Sequence, residues 1–177
     1  MMLNLEDYAI RFVGLKEGEH QFEYKIDNTF FDEFDYQEFL KSDIQVDIYL
    51  VKKNTHLEFD FHIEGKVEVE CDLTLEHFYL PIENSLSLVV KFGDEYKEIN
   101  EELLIIPFGQ DEIQIEQFIY ECVVLALPSK KVHPGVEDGT LDSEILDKLN
   151  RHSINQKNTE NPEIDPRWDK LKKLLKD

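Results

Sequence analysis

The sequence predicts an α+β protein: a mainly antiparallel, curved sheet or partly open β-barrel, with one principal packed helix and a C-terminal amphipathic helix. Two observations carry this. Apolar residues recur at every second position through most of residues 56–90, and one helical stripe follows within residues 115–126. Alternation sends successive side chains to opposite faces of a strand, whereas spacings of three and four keep them on one face of a helix. The chain has 177 residues, 41% of them hydrophobic, which suits a single core with extensions.

Residues 8–26 read as a hairpin: Tyr8, Ile10 and Phe12 alternate, residues 14–18 form a loop, and Phe22, Tyr24 and Ile26 alternate again. Asp27, Asn28 and Thr29 offer capping chemistry ahead of Phe30, Phe31, Phe34, Tyr36 and Phe39, which fit short helical turns whose rings belong to the core. Ile44, Val46, Ile48 and Leu50 make a strand, and Lys53-Asn54-Thr55 turns it into the strand of Leu57, Phe59, Phe61 and Ile63. Val67, Val69 and Cys71 extend the pattern. Pro81 suggests an edge or a bend before the strand at 85–92, and 103–106 reads as a further strand.

The principal helix is expected to open with Asp111 and Gln114 as a capping box and to bury Ile115, Phe118, Ile119, Cys122 and Ala126 before Pro128. After it the composition turns polar. Residues 1–134 are therefore expected to form the core domain, 135–164 a polar, partly disordered linker, and 165–177 the terminal helix. Within the linker, 142–150 is compatible with a short helix. In the tail, Asp165 can cap, Pro166 fits the first helical position, and Trp168, Leu171, Leu174 and Leu175 share a face. Arg167 and four lysines surround that face, making a basic patch in an acidic chain.

Acidic residues number 39 against 19 basic ones, a formal net charge of −20. Such a field repels phosphate backbones and attracts basic partners. Residues 94–121 are especially acidic, with Lys97 as the lone cation. No signal peptide or spanning segment is visible, and Cys71 and Cys122 sit in apolar patterns, so the expected setting is the cytoplasm. The expected state is an acidic monomer.

Chemical motifs are sparse. His56 and His62 lie six residues apart on one strand, hence about 20 Å apart, too far to share an ion. Cys71 with His77 supplies two ligands, and two do not make a structural zinc site. Neither cysteine has basic neighbours or a clear helix N-terminus to activate it. Phosphate loops and dinucleotide fingerprints are absent. No catalytic residue, cofactor, metal or small-molecule substrate is expected.

Four stretches together resemble a family: Leu5-Glu6-Asp7-Tyr8 with Phe12-Val13-Gly14-Leu15; residues 67–76; the exit from Ile119 through Leu127-Pro128 to His133; and Asp165-Pro166-Arg167-Trp168-Asp169-Lys170-Leu171. The chain resembles the YceD family, also described as domain of unknown function 177, and its Phe-rich first half resembles the Bacteroidetes-type branch. Many relatives carry Cys-x-x-Cys where this chain has Cys71-Asp72-Leu73-Thr74, and some carry further cysteines near His133. Thr74 replaces the second cysteine, so Cys71 is expected to be a small core residue in a turn that survives without metal.

The resemblance implies a cytoplasmic factor needed for 23S ribosomal RNA to accumulate, acting in large-subunit assembly without a known reaction. In many bacteria the family's gene lies beside that of a small basic large-subunit ribosomal protein. Together with the charge, this points to a factor that holds a basic ribosomal protein, with any RNA contact indirect. One alternative is direct RNA binding, with Trp168 stacking and Arg167 and its lysines meeting phosphate. Another is a degenerate metal or redox module built on Cys71. The candidate family-motif or partner-contact residues are Cys71, Thr74, Pro128, His133, Asp165, Pro166, Arg167 and Trp168.

Overall fold

Alternating sequence becomes strand wherever one of its faces can be covered. The computed structural model describes residues 8–141 and 144–152. Its elements are β1 (Ala9–Arg11), β2 (Gly18–Ile26), α1 (Asn28–Asp32), β3 (Lys41–Lys52), β4 (His56–Glu70) and β5 (His77–Gly93). There follow β6 (Lys97–Asn100), β7 (Leu103–Pro107), β8 (Glu112–Gln114), α2 (Glu116–Leu125), α3 (Pro134–Glu137) and α4 (Glu144–His152). The chain divides between Thr140 and Leu141 into two units, and α4 is the described helix of the second. The linker beyond His152 and the expected terminal helix lie outside the described residues.

Six strands form one open sheet in the order β2-β3-β4-β5-β7-β6. The first four are an antiparallel meander, from Ile26↔Ile44 through Val46↔Ile63 to Phe59↔Leu88. After β5 the chain passes to the far edge as β6 and returns as β7, parallel to β5 from Val89↔Leu103 to Gly93↔Pro107. The end strands β2 and β6 do not pair with each other, so the curved sheet stays open rather than closing into a barrel. At Gly65 a Cβ would lie 2.4 Å from the Asp43 carbonyl oxygen and 2.7 Å from the Ile44 Cα. Glycine is needed there because β3 and β4 approach too closely for a side chain.

Three expectations change in local detail. Residues 8–26 do not form a hairpin: β1 pairs with β8 through Ile10↔Ile113, while β2 pairs with β3. The Phe12 and Val13 N–H groups donate to the Asp111 carbonyl, and Lys52 Nζ donates to the Phe12 and Leu15 carbonyls, both at 2.8 Å, which turns the loop away from β2. Consequently Glu112–Gln114 is strand, and α2 starts only at Glu116, with Ile115 at its N-cap and no side-chain cap bond. Pro81 lies inside the continuous strand β5, opposite Lys66. It is tolerated because β7 pairs only with residues 89–93 of β5, which among the described residues leaves the other side of Pro81 without a strand partner.

The core lies between one sheet face and α2. Leu57, Phe59, Phe61 and Ile63 face Leu88, Val90 and Ile82 from the neighbouring strand and Ile119, Cys122 and Val123 from α2, all buried. Burying each large apolar side chain contributes about 1.5–3 kcal/mol relative to leaving it in water. The Phe118 and Phe61 rings meet at 6.1 Å, and Asn84 Nδ2 donates to the Cys122 carbonyl at 2.9 Å, tying helix to sheet. Asp27 caps α1 by accepting from the Thr29 N–H at 2.9 Å. This delivers Phe30, Phe31 and Phe39 to the interior, where Phe31 and Phe39 pack edge to face at 4.9 Å.

The opposite sheet face is polar. Gln45, Glu64 and Glu83 are cross-strand neighbours, as are Asp47, His62 and Ser85. Glu64 and Glu83, directly opposed on adjacent strands, repel each other; such like-charge neighbours are destabilising.

Candidate functional site

The turn after β4 gathers the motif residues of the first unit. Cys71 donates its N–H to the Glu76 carbonyl and accepts the Leu75 N–H on its own carbonyl, both at 2.9 Å. Leu75 closes this tight loop at φ 60°, a left-handed conformation that ordinarily favours glycine. The chain leaving α2 packs against the loop. Pro128 is exposed and carries it past the helix end; the Asp72 N–H then donates to the Lys131 carbonyl at 2.8 Å, and the Lys131 N–H donates to Asp72 Oδ2 at 2.6 Å. Lys131 Nζ pairs with Glu38 at 2.8 Å.

Cys71 Sγ sits at the centre, fully buried, and accepts the His133 N–H at 3.3 Å. Burial pushes this thiol up, but the Thr74 hydroxyl and the N–H groups of His133, Leu73 and Thr74 outweigh it and hold the thiol below its ordinary value. Thr74 is buried as well. The His133 ring meets Phe78 edge to face at 5.3 Å, and its Nδ1 accepts the Gly135 N–H at 3.0 Å. Sequence reasoning therefore named three residues that meet, Cys71, Thr74 and His133, with Pro128 nearby in the chain. It missed Lys131 and the strain at Leu75, for which a turn of four residues ending in leucine carries no local signal.

This corner does not fit a metal. It offers one thiol, one hydroxyl and an imidazole whose Nδ1 already accepts a backbone N–H, whereas a structural zinc takes four thiolate or imidazole ligands. Among the described residues, no group of three His, Cys, Asp or Glu side chains is placed to hold an ion. Asp165, Pro166, Arg167 and Trp168 lie outside the described residues.

The acidic stretch 94–121 is distributed by the fold over two places. Glu98 and Glu101, at the β6 edge, come together with Glu121 of α2 around a groove of about 780 Å³. Asp111 borders a separate depression of about 800 Å³ with Lys52 and Phe108, and Glu112 pairs with Arg11 at 3.0 Å. Among the described residues no helix is long and apolar enough to cross a membrane.

A family model for the large ribosomal RNA subunit accumulation protein YceD matches residues 59–175. That span takes in β4 from Phe59 on, the Cys71 corner, the acidic stretch and α2. No curated protein and no solved structure matches the chain. With most of its length matched, including the turn built on Cys71 and Thr74, the chain belongs to the YceD family of large ribosomal RNA subunit accumulation proteins.

Proposed function

We propose that this protein is a non-catalytic, cytoplasmic assembly factor that supports 23S ribosomal RNA accumulation by holding a basic large-subunit ribosomal protein on its acidic surface. The observation that carries the reading is a net charge of −20 in a member of this family, with carboxylates crowded onto exposed surfaces. Glu64 faces Glu83 across adjacent strands, and Glu98, Glu101 and Glu121 surround one groove. A cationic partner relieves these repulsions, whereas a phosphate backbone adds to them. Ribosomal proteins need such shielding before RNA neutralises them. The factor acts as a monomer and needs no cofactor or small molecule; its core, residues 1–134, does the holding.

The test is a pull-down with the full chain from native cytoplasm at low and moderate salt, with and without ribonuclease. A basic large-subunit protein that survives ribonuclease is the expected result. With that protein purified, the association rate is expected to fall at least tenfold between about 20 and 300 mM salt, because screening shortens the reach of the field. A salt-insensitive rate would overturn the reading. So would retention of 23S precursor RNA after ribosomal proteins are stripped, if deleting residues 165–177 abolishes it, since the basic tail would then be the binding element.

A further inference from the structure

The principal helix leaves an apolar groove open beside the sheet. Leu88, Leu104 and Cys122 floor it, each almost inaccessible to solvent, so the groove has a packed base. Leu86 and Phe118 line its walls. Leu125 and Ile99, 75% and 46% exposed, stand on opposite lips, one on α2 and the other on β6. Glu98 and Glu101 border it on the strand side and Glu121 on the helix side, and among the described residues no lysine or arginine lines it.

Helical geometry explains the arrangement. Phe118, Cys122 and Leu125 fall at i, i+4 and i+7, one flank of the helix, and the sheet covers that flank at Cys122 but not at Leu125. On the outer side of this flank, Gln117 donates to Glu121 at 2.7 Å, which holds the carboxylate at the rim. An apolar floor with acidic walls complements a polypeptide that presents leucine-like side chains on one face and lysine or arginine beside them. Nucleic acid fits poorly: its phosphates meet carboxylates, and it has no aliphatic face for the floor.

We propose that this groove is the docking site for a basic amphipathic helix of the held protein. The inference rests on the holding function and assigns it a place: charge brings the partner in, and the groove selects a helical segment with an apolar stripe.

The experiment uses the full chain and a synthetic lysine-leucine peptide with leucines at i, i+3, i+4 and i+7, compared with an isomer whose leucines are dispersed. Fluorescence anisotropy is expected to show the amphipathic peptide binding at least tenfold more tightly than its isomer. Leu125→Ser together with Ile99→Ser is expected to remove that preference while the thermal midpoint holds, because both side chains are largely in water. Tyr49→Ser, an exposed ring on the opposite sheet face, is expected to leave the preference intact.

Equal binding of the two peptides would overturn the proposal, as would a preference that survives the double substitution. Self-association of the wild type that the double substitution abolishes would reassign the groove to a second copy. Tenfold tighter peptide binding by the full chain carrying Leu171→Ser and Leu175→Ser would reassign it to the chain's own basic tail. Proteins salt-extracted from large subunits separate the two levels of the argument. Equal retention of a basic protein by the wild type and the double variant sinks the groove and leaves the holding function. Failure of the wild type to retain any basic protein sinks the holding function itself.

Discussion

Each of the two cysteines marks a region, and the two regions are built on opposite terms. Cys71 and Cys122 are equally buried thiols in apolar sequence patterns. Around Cys71 the polar groups find one another: sulfur accepts hydrogen bonds, Asp72 and Lys131 exchange them, and Lys131 reaches Glu38. Cys122 instead shares an apolar floor with Leu88 and Leu104, and the helix that carries it goes on to expose Leu125. The corner is therefore finished by the chain itself. The groove has apolar surface left over, which is why the docking proposal belongs there.

The largest expected effect separates the two thiols by stability. Cys71→Ala leaves buried donors without their sulfur, and each buried group left unsatisfied costs about 1–3 kcal/mol. A loss of about 3 kcal/mol is expected from urea denaturation followed by circular dichroism, with Cys71→Ser recovering part of it because its hydroxyl accepts. Cys122→Ala removes packing alone and is expected to cost about 1–2 kcal/mol. Equal losses would break the contrast.

The pH dependence sharpens it, because the two thiols shift in opposite directions. Burial pushes Cys122 up to about 11. A thiol raised above its unfolded value of about 8.5 stabilises the fold below that pH and loses its contribution as pH rises through its folded value. The alkaline loss attributable to Cys122 approaches about 3 kcal/mol above pH 11. Cys71 is lowered, so its contribution grows as pH rises from its folded towards its unfolded value. Between about pH 8.5 and 11, Cys122→Ala is expected to make stability fall less steeply with pH, whereas Cys71→Ser is expected to remove a rise in stability that lies below about pH 8.5. Tyr36, raised to about 12 by burial and the nearby Glu38 charge, adds an alkaline loss common to all variants. Identical slopes in the two variants would show that neither environment distinguishes its thiol.

Legibility followed the range of the interactions. The strands around Leu57, Val67 and Leu88 were readable because alternation is local, and Asp27 was readable as a cap because its partner, Thr29, is two residues away. The pairing of Ile10 with Ile113 was not, since nothing in either neighbourhood specifies a partner a hundred residues distant. The same pairing turned the apparent capping box at Asp111 into strand and delayed the helix to Glu116. At the site, the motif named Cys71, Thr74 and His133, but not the hydrogen bonds that hold them. The groove did leave one trace: residues 122–127 are uninterruptedly apolar, enough to pass all the way round a helix, so some had to face outward.

The smallest expected effect uses two leucines of similar exposure, Leu75 at 66% and Leu125 at 75%. Leu75 holds φ 60° to close the Cys71 turn, and a non-glycine residue in that region costs about 1–2 kcal/mol. Glycine removes the strain but adds freedom to the unfolded chain, about 0.4–1 kcal/mol. Leu75→Gly is therefore expected to stabilise the protein by about 0.5 kcal/mol, read from the urea midpoint at unchanged m. Leu125 has helical backbone and no strain to relieve, so Leu125→Ala is expected to stay within about 0.5 kcal/mol while weakening the amphipathic peptide. A destabilising Leu75→Gly would mean that the leucine side chain itself supports the corner, which would then be closed by packing as well as by hydrogen bonds. The two leucines separate what each region does: one is kept in spite of its backbone, the other in spite of its solvent.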